Sequence, residues 1–529
     1  MITLLDYGAG NVRSVINAIE RLGETVKIVS DKNDIIKAEK LVFPGVGSFG
    51  SMMRILRAKK YVEPLRDYLL ADRPFLGICL GLHALFTKSE EAPDELGLNI
   101  FPGVVKRFDI DLAVPHIGWN GVNRCKPSGL FNGLRNDEKF YFVHSYYIAP
   151  EDEDLVLTTT DYGIRFVSSI RKGNIIATQF HPEKSSDAGL TLLHNFVAGT
   201  EETDIPLPAE GKTHLAKRII ACLDVRTDDQ GDLVVTKGDQ YDVREKGNVR
   251  NLGKPVELAR RYYKEGADEI TFLNITGFRD FPLKDMPMIE VLKLTSQNVF
   301  VPLTIGGGIR DYTDKDGRRY TPLEVADAYF RSGADKISIG SDAVLIVEEY
   351  LKTGQKTGQS SIELISAVYG NQAVVISVDP RRVYVTSPDA TEHQVIKTAL
   401  PGPQGETWCW YQCTVKGGRE GRDLDAITLA RSCEELGAGE ILLNCIDRDG
   451  TNSGFDMELI NAVKAAVTIP VIASSGAGNA AHFYDVFNNT QAESALAAGI
   501  FHRREVPIAE VKSYLMEQNV EIRPSLKMA

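Results

Sequence analysis

The sequence predicts an α/β protein with two unlike parts: a mixed, mostly parallel sheet with helices, followed by a (β/α)8 TIM barrel. Three observations predict this architecture. The length of 529 residues is too great for one ordinary core. Residues 199–214 are polar, contain prolines and lack apolar periodicity. Strand and helix patterns repeat after that segment. We therefore expect domains at 1–199 and 215–529, joined by a linker at 200–214.

In the first part, short apolar strands alternate with helical patterns. The strand-like segments are ITLLDYG, TVKIVS, KLVFPG, PFLGICLG and, after a hairpin-rich region, IIATQFHPE. Alternating strands and helices predict a parallel sheet, and the hairpin-rich region adds an antiparallel portion.

The second part contains an internal repeat of four strand–helix units. The corresponding segments are 217–225 with 372–380, 265–276 with 436–447, 301–309 with 469–478, and 333–344 with 493–501. Four units followed by four similar ones predict eight parallel strands closed into a barrel of two halves. Two insertions, 311–322 and about 383–418, are predicted to be polar loops on the face where active sites of such barrels lie.

Composition narrows the class of function. The net charge of −12 argues against nucleic acid or an anionic membrane as the main partner. No segment approaches the ~20 apolar residues that span a bilayer. The opening MITLLDYGAGN already has the pattern of a buried strand and a Gly-rich turn, which leaves no room for a signal or transit peptide. We expect a cytoplasmic enzyme that acts on small molecules.

Cysteine spacing indicates neither disulfides nor a metal site. The seven cysteines are scattered and form no CxxC pair. Cys409 and Cys413 are the closest pair, but no second pair of ligands accompanies them. The pattern is typical of a reducing compartment, and no metal is expected.

A candidate nucleophile lies in the first part. Cys79 stands in GICLG (77–81), between an apolar strand and the helical pattern LHALFTK, so a sharp turn exposes its thiol. The start of a helix favours the reactive thiolate. In QFHPEKS, His181 and Glu183 are two residues apart at a strand end and are expected to point to the same side. Glu183 can then orient His181, which activates Cys79. The alternative is a structural cysteine and an unrelated histidine.

These motifs, with PGVGSFG at 44–50, resemble class I glutamine amidotransferases over nearly all of residues 1–199. The resemblance implies that Cys79 attacks the glutamine amide, that His181 serves as base and then acid, and that Glu183 orients it. The products are glutamate and ammonia, formed through a glutamyl thioester. Backbone N–H groups of 44–47, including those of Gly45 and Gly47, would stabilise the oxyanion.

One position departs from the amidotransferase pattern. The family usually has GICLGxQ, with the glutamine helping to hold the substrate, and this chain has His83 there. We place His83 among the substrate-binding residues and expect it to affect glutamine affinity or pH dependence.

Two aspartates mark a second candidate site. Asp224 and Asp379 end the first strand of each half-barrel, so they should face each other across the barrel mouth. Such a pair can divide the roles of general acid and base. Alternatively, each aspartate caps the helix that follows it.

Glycine-rich turns at repeat-related strand ends predict two phosphate sites. Glycines there let backbone N–H groups approach a phosphate at a helix start. Lys237 is predicted to contact the substrate from a mobile loop, although it can equally be a surface lysine, and Arg318 and Arg319 add positive charge. The proposed substrate-binding residues of the barrel are Lys237, Gly307, Gly308, Gly340, Ser341, Asp449, Gly450, Gly476 and Gly478.

The motifs KRIIACLDV, GGGI, GADK, GAGEILL and IDRDGT resemble the cyclase of the imidazole glycerol phosphate synthase family over essentially all of 215–529. This resemblance implies histidine biosynthesis. Ammonia would react with phosphoribulosyl-formimino-aminoimidazole carboxamide ribotide to give imidazole glycerol phosphate and aminoimidazole carboxamide ribotide, without a cofactor. Two residues depart from the family pattern: Ser475 replaces a usual glycine, and Asn274 replaces the aspartate common in separate cyclase subunits.

Charged residues at the starting ends of barrel strands are unusual for a packed core. Arg218 lies on the same strand face as Asp224, and Glu269, Lys336 and Glu440 open three other strands. The resemblance matches Arg218, Glu269, Lys336 and Glu440 to a ring thought to gate ammonia between the two sites, with the glutaminase docked on this end of the barrel. A purely structural, salt-bridged plug is the alternative.

Three other functions are compatible with parts of the sequence. The glutaminase can feed ammonia to another acceptor, but the barrel motifs argue against this. The barrel can be an isomerase with a regulatory amidotransferase domain, but Cys79, His181 and Glu183 are all present. The third alternative is a non-catalytic scaffold or sensor that binds glutamine or the bisphosphate ligand without turnover, and only His83 favours it.

Overall fold

The computed structural model describes residues 1–8, 10–199, 211–228, 233–236, 244–245, 248–249, 251–275, 283 and 286–525. Most of the predicted linker lies outside these residues, so the domain boundaries remain a prediction. The end of the predicted linker and the first residues after it are hydrogen-bonded to the first part of the chain. There the Thr213 backbone N–H donates to Asp161 Oδ2 at 2.9 Å, and the Ala216 N–H donates to the Trp119 carbonyl at 2.8 Å.

The first part is a mixed sheet, as predicted. Its main path runs β2-β1-β3-β4-β13-β12-β10-β6-β5, with β8 and β11 branching from it and β7 pairing with β9. The strands are β1 Ile2–Leu4, β2 Val26–Ile28, β3 Leu41–Gly45, β4 Phe75–Cys79, β5 Phe86–Ser89, β6 Phe101–Arg107, β7 His116–Gly121, β8 Asn123–Arg124, β9 Lys139–His144, β10 Tyr146–Pro150, β11 Val156–Tyr162, β12 Ile164–Lys172 and β13 Ile175–Thr178. The pairs from β2 to β13 along this path are parallel, and β12 and β10 are antiparallel to their neighbours.

Helices cover this sheet. They are α1 Val12–Arg21, α2 Lys32–Lys37, α3 Phe49–Ala58, α4 Val62–Leu70, α5 Leu80–His83 and α6 Ser186–Ala198. Local sequence sets their ends: Asn11 accepts the Ser14 backbone N–H at the start of α1. At the end of α6, Gly199 adopts the left-handed φ of 68° that stops a helix.

The helix predicted for LHALFTK is shorter than expected. Helix α5 ends at His83, and Phe86–Ser89 forms strand β5. Strand β5 pairs with β6, with Phe86 opposite Phe101. Periodicity alone did not separate these two elements because the apolar residues of a short buried strand also fit a helical face.

The second part is the predicted barrel. Strands β14, β18, β19, β22, β23, β28, β29 and β30 are parallel neighbours in that order, and β30 closes on β14. These strands are β14 Arg218–Thr227, β18 Glu269–Asn274, β19 Leu303–Gly306, β22 Lys336–Ile339, β23 Val374–Val378, β28 Glu440–Asn444, β29 Val471–Ser474 and β30 Ser494–Ala497. The four predicted pairs of repeat segments therefore contain β14 and β23, β18 and β28, β19 and β29, and β22 and β30.

Helices surround the barrel. They are α7 Pro255–Glu265, α8 Pro287–Ser296, α9 Pro322–Arg331, α10 Ser341–Thr353, α11 Ser361–Tyr369, α12 Ala426–Leu436, α13 Met457–Lys464, α14 Ala480–Asn489, α15 Gly499–His502 and α16 Ile508–Glu517. Capping boxes start α9 at Thr321 and Glu324 and α11 at Ser360 and Glu363. No described helix combines the length and apolar character needed to cross a membrane.

The two insertions are more ordered than the predicted polar loops. The first contains the hairpin of β20 and β21, and the second forms an antiparallel sheet in the order β24-β26-β25, with β27 on β26. The remaining strands are β15 Leu233–Thr236, β16 Arg244–Glu245, β17 Asn248–Val249, β20 Tyr312–Thr313, β21 Arg319–Tyr320, β24 Pro380–Val385, β25 Ile396–Lys397, β26 Trp408–Val415 and β27 Glu420–Asp425. The loop prediction for 383–418 was therefore wrong.

The interior of the barrel contains an apolar cluster between its two ends. The buried side chains that form this separate cluster are Ile220, Cys222, Val375, Leu442, Ile472 and Leu496. Charged groups lie below them, at the starting ends of the strands, and carboxylates lie above them, at the opposite ends. The barrel thus places an apolar cluster between two polar sites.

Candidate active sites

The Cys79 thiol stands at a strained turn. Cys79 ends β4 and precedes α5 with φ 51° and ψ −100°, a conformation that is unfavourable for a residue with a Cβ. Gly81 permits the turn because a Cβ at that position would lie 2.1 Å from the Phe43 carbonyl oxygen. The predicted strand-to-helix turn is confirmed, and it brings the sulfur to the wall of a cavity.

His181 and Glu183 meet as expected, but the local structure differs. Strand β13 ends at Thr178, and Glu183 lies in the 3₁₀ turn Pro182–Lys184 that His181 precedes. The extended segment predicted here was therefore wrong. His181 Nδ1 lies 2.8 Å from Glu183 Oε1, and the His181 side chain is also hydrogen-bonded to Cys79. Burial alone lowers the pKa of His181, but the negative charges of Glu183 and Cys79 raise it well above its usual value.

The cavity beside Cys79 brings together the residues predicted for the glutaminase. Gly45 and Gly47 line it from the end of β3, and His83 lines it from α5. His83 is buried, and burial lowers its pKa to about 4, although a hydrogen bond to Gln179 opposes this shift. The structure thus places His83 in the same pocket as the nucleophile.

Sequence reasoning missed Glu91. This residue lines the same cavity and accepts the Phe49 backbone N–H at 3.1 Å. Burial raises the pKa of its carboxyl to about 7. A half-buried carboxylate facing a pocket of this kind is a candidate partner for an ammonium group. No motif or spacing marks Glu91 in the sequence, since it lies in a polar segment after β5.

The barrel completes the wall of this cavity with Asp335, Lys336 and Gln372. Lys184, next to Glu183, pairs with Asp335 Oδ2 at 2.6 Å. Asn11 Nδ2 also donates to Asp335 Oδ1 at 2.7 Å. The glutaminase pocket therefore opens against the starting ends of the barrel strands, which is the predicted docking face.

The four charged residues at this end form a closed ring of hydrogen bonds. Arg218 donates to Glu269 at 2.8 Å and also to Glu440. Lys336 Nζ donates to Glu269 at 2.8 Å and to Glu440 at 2.7 Å. All four side chains are fully buried or nearly so. Burial alone raises the pKa of Glu440, but the charges of Arg218 and Lys336 bring it below its usual value.

Asp224 and Asp379 line one cavity at the other end of the barrel. Asp224 lies within β14, which continues to Thr227, so the prediction that it ends the strand was wrong, whereas Asp379 directly follows β23. Because β14 and β23 are the first and fifth strands around the barrel, the two aspartates lie on opposite sides of the cavity. Asp379 Oδ1 accepts Asn444 Nδ2 at 2.8 Å and Ser377 Oγ at 3.3 Å. Burial raises the pKa of Asp379, and these two hydrogen bonds oppose that rise.

A second cavity adjoins this mouth. Asp224, Asp449, Gly450 and Gly476 line it, together with the start of α15. Gly478 lies two residues beyond Gly476. Ser475 adopts a φ of 73°, in the left-handed region that favours glycine, so its departure from the family pattern carries backbone strain. This arrangement fits one of the two predicted phosphate cradles.

The other predicted cradle is less complete. Gly307 and Gly308 follow β19 with positive φ, and Gly340 and Ser341 begin α10 after the neighbouring strand β22. None of the four lines the cavities described above. Ser341 Oγ accepts the Lys416 backbone N–H at 3.0 Å. Lys237 lies outside the described residues.

Comparisons with known proteins cover both parts of the chain. Residues 3–199 match the family described as glutamine amidotransferase class-I, and residues 218–507 match the family described as histidine biosynthesis protein. The chain is 59% identical over 534 residues to the chloroplastic imidazole glycerol phosphate synthase hisHF of Arabidopsis thaliana, covering 99% of this chain and 89% of that protein.

Two fungal proteins are also similar. The imidazole glycerol phosphate synthase hisHF of Schizosaccharomyces pombe is 55% identical over 539 residues, covering 99% of this chain and 100% of that protein. The protein of the same name from Emericella nidulans is 53% identical over 545 residues, covering 99% of this chain and 98% of the other.

Proposed function

The chain belongs to the imidazole glycerol phosphate synthase family, and from this premise we propose how its residues carry out the two reactions. The first half is a glutamine amidotransferase and the second is a cyclase of histidine biosynthesis. One observation carries the proposal. Lys336 lies both in the wall of the Cys79 cavity and in the charged ring that closes the barrel. The Cys79 cavity therefore adjoins the ring that closes the starting end of the barrel.

In the glutaminase, Cys79 Sγ attacks the side-chain amide of glutamine. His181, in contact with Cys79, takes the thiol proton and returns it to the leaving ammonia, while Glu183 holds the imidazole and favours its protonated form. Backbone N–H groups of the 44–47 segment stabilise the oxyanion. Glu91 holds the α-ammonium group of the substrate. Water then hydrolyses the thioester and releases glutamate.

Ammonia next crosses the charged ring and passes the apolar cluster inside the barrel. The side chains of this cluster offer no acidic proton, so ammonia that moves along them stays unprotonated and nucleophilic. The ring of Arg218, Glu269, Lys336 and Glu440 controls entry, and the route ends between Asp224 and Asp379.

In the cyclase, Asp224 and Asp379 share the roles of general acid and base during attack by ammonia, ring closure and cleavage. The substrate carries two phosphates. Backbone N–H groups near Gly450 and Gly476 hold one, and Gly307, Gly308, Gly340 and Ser341 hold the other. The products are imidazole glycerol phosphate and aminoimidazole carboxamide ribotide.

The test is steady-state glutamate release with and without the bisphosphorylated substrate, in the wild type and in Cys79→Ala. We expect the substrate to stimulate release. The variant should release none but still cyclise when ammonium is added. Cys125→Ala, at an exposed cysteine, is the matched control and should behave like the wild type. Absence of imidazole product even with ammonium would overturn the cyclase assignment, and glutamate release by Cys79→Ala would overturn that of the nucleophile.

We place the enzyme in the cytoplasm. Its cysteines are all free, which suits a reducing compartment. The plant relative is named as chloroplastic, so imaging of the tagged full-length chain in its own cells is the measurement. Fluorescence confined to an organelle would contradict this assignment.

A further inference from the structure

A buried chain of hydrogen bonds connects His83 to the thiol of Cys79. His83 Nε2 lies 2.9 Å from Gln179 Oε1. The Gln179 Nε2 amide group donates to Cys79 Sγ at 3.5 Å. Gln179 is fully buried, His83 is 3% exposed and Cys79 is 8% exposed. Water therefore has little access to these contacts, and each polar group depends on its neighbour.

The protonation of His83 decides which way the Gln179 amide faces. The Gln179 oxygen accepts hydrogen bonds and cannot donate them, so His83 must carry its proton on Nε2. The amide N–H then points to the sulfur, where it stabilises a negative charge. With the proton on Nδ1 instead, a flipped amide would present its oxygen to the sulfur and favour the neutral thiol. The position of one proton on the imidazole thus selects between two arrangements at the nucleophile.

We propose that His83 is a positioning residue for glutamine hydrolysis: its Nε2–H fixes the Gln179 amide so that the amide N–H donates to the Cys79 sulfur. The proposal rests on the proposed role of Cys79 as the nucleophile. It assigns His83 an action through Gln179, in place of the direct substrate contact expected from the sequence. It also gives Gln179, the first residue of the QFHPE motif, a function separate from that of His181.

Other ionisable groups face the sulfur from the surrounding elements. His181 contacts it from the turn after β13, with Glu183 behind it. Tyr7, after β1, lies close enough to both Cys79 and Glu91 for its charge to interact with theirs, and His144 of β9 interacts in the same way with His83 and His181. Variants at position 83 leave these groups in place, so a difference between two such variants reports on the His83–Gln179 contact.

The test measures the alkylation of Cys79 by iodoacetamide against pH in the full-length enzyme. Cys125→Ser serves as the background because Cys125 is the exposed cysteine, and mass spectrometry of the Cys79 peptide follows the reaction. His83→Leu removes the donor and leaves the Gln179 oxygen unpaired. His83→Gln restores an N–H donor at a similar distance from the backbone. Gln179→Met breaks the chain at its second link.

In His83→Leu and Gln179→Met, we expect alkylation at neutral pH to slow about tenfold and the pH profile to move upward, as loss of a hydrogen bond to a charged group requires. The kcat for glutamine should fall by a similar factor with KM nearly unchanged. His83→Gln should keep the alkylation rate, the kcat and the KM within about twofold of the background. The variant that combines His83→Leu with Gln179→Met should be no slower than the slower of the two single variants, because both substitutions break the same chain of hydrogen bonds.

Circular dichroism and urea unfolding of each variant check that the glutaminase half, which contains both substituted residues, is folded. A rise in KM with an unchanged alkylation profile would show that His83 contacts glutamine directly and would overturn the proposal. An additive effect in the double variant would also overturn it. A different result would overturn the role of Cys79 as the nucleophile: the Cys79→Ala variant would then still release glutamate.

Discussion

At the scale of single residues, the carboxyl of Asp379 shows how neighbours set the protonation of a buried group. Burial raises its pKa, whereas the hydrogen bonds from Asn444 and Ser377 favour the ionised form and oppose that rise. Asn444 Nδ2 reaches both Ser377 Oγ, at 3.0 Å, and Asp379 Oδ1, at 2.8 Å. Asn444 therefore helps to keep Asp379 available as a base.

Replacing Asn444 by leucine should raise the pKa of Asp379 further. A smaller fraction of Asp379 is then ionised at a given pH, so ammonium-dependent cyclisation should fall most at the acidic end. We expect about a tenfold loss there, in proportion to one hydrogen bond to a charged group, and a smaller loss at alkaline pH. The ratio of variant to wild-type rate at each pH is the measurement, because it cancels the change in free ammonia.

The control for this prediction is Asn461→Leu, at an exposed asparagine of α13. Its rate ratio should stay close to one at every pH. If the ratio for Asn444→Leu is constant across pH, Asn444 does not act on the protonation of Asp379.

At the scale of elements, the starting ends of four barrel strands carry the charged ring. Two acids and two bases balance in charge, and each contacts both partners of opposite sign. Buried pairs of this kind offer little net stability over apolar residues, but removing one member leaves an uncompensated charge. The intact ring therefore adds little net stability, but the loss of any one of its four side chains is destabilising.

Lys336→Met should destabilise the chain by about 3–5 kcal/mol, because Glu269 and Glu440 then share Arg218 alone. Urea unfolding measures this change. If the ring also gates ammonia, the amount of glutamate released per imidazole product should change while ammonium-dependent cyclisation is retained. Lys352→Met, on the exposed surface of α10, is the control and should change neither quantity.

A stability loss without any change in the product ratio would favour a structural plug.

The elements also show where the sequence pattern gave a wrong prediction. The segment WCWYQCTV has the aromatic and β-branched residues of a strand, and it forms β26. It lies within the predicted loop 383–418, yet it pairs with β24 from Pro380, opposite Cys413, to Val385, opposite Trp408.

At the scale of the whole molecule, one buried cluster ties the C-terminal segment to both halves. Asp268 accepts Lys512 Nζ and Arg523 Nε, each at 2.7 Å. The Asp268 carbonyl accepts Trp119 Nε1 of the glutaminase at 3.1 Å, and the Arg523 guanidinium lies 4.1 Å from the centre of a Trp119 ring. The side chains of Lys512 and Arg523 thus share the buried carboxylate of Asp268.

Burial lowers the pKa of Lys512 from 10.5 to about 7, and the charge of Arg523 adds to this shift. Between about pH 7 and 10.5 the unfolded chain binds the proton more tightly than the folded one, so the free energy of unfolding rises with pH in this window. The cost of the buried charge is fully present below about pH 7. Lys512→Met removes this dependence.

We expect the stability of the wild type relative to Lys512→Met to increase by about 2 kcal/mol from about pH 7 to pH 9. Urea unfolding of both proteins at several pH values is the measurement. Lys264→Met, at an exposed lysine of α7, is the control and should show a constant difference from the wild type. A difference for Lys512→Met that is also constant with pH would mean that Lys512 does not titrate in this range.

Much of this protein is determined by the sequence itself. The half-barrel repeat predicts the eight strands and the opposition of Asp224 and Asp379, because equivalent positions in two similar halves must face each other in a closed barrel. The spacing around Cys79 and Gly81 likewise fixes the turn, since steric clashes there are local.

Only the tertiary structure decided the rest. Glu91 and the Asp268 cluster carry no motif, and the QFHPE motif does not show that Gln179 meets both His83 and Cys79. The second insertion gains its order by pairing β24 with β26, which lie far apart in the chain. The physical reason is common to all of them. Burial and hydrogen bonding between residues far apart in the chain determine their protonation and orientation, and no local pattern of residues encodes which distant groups will meet.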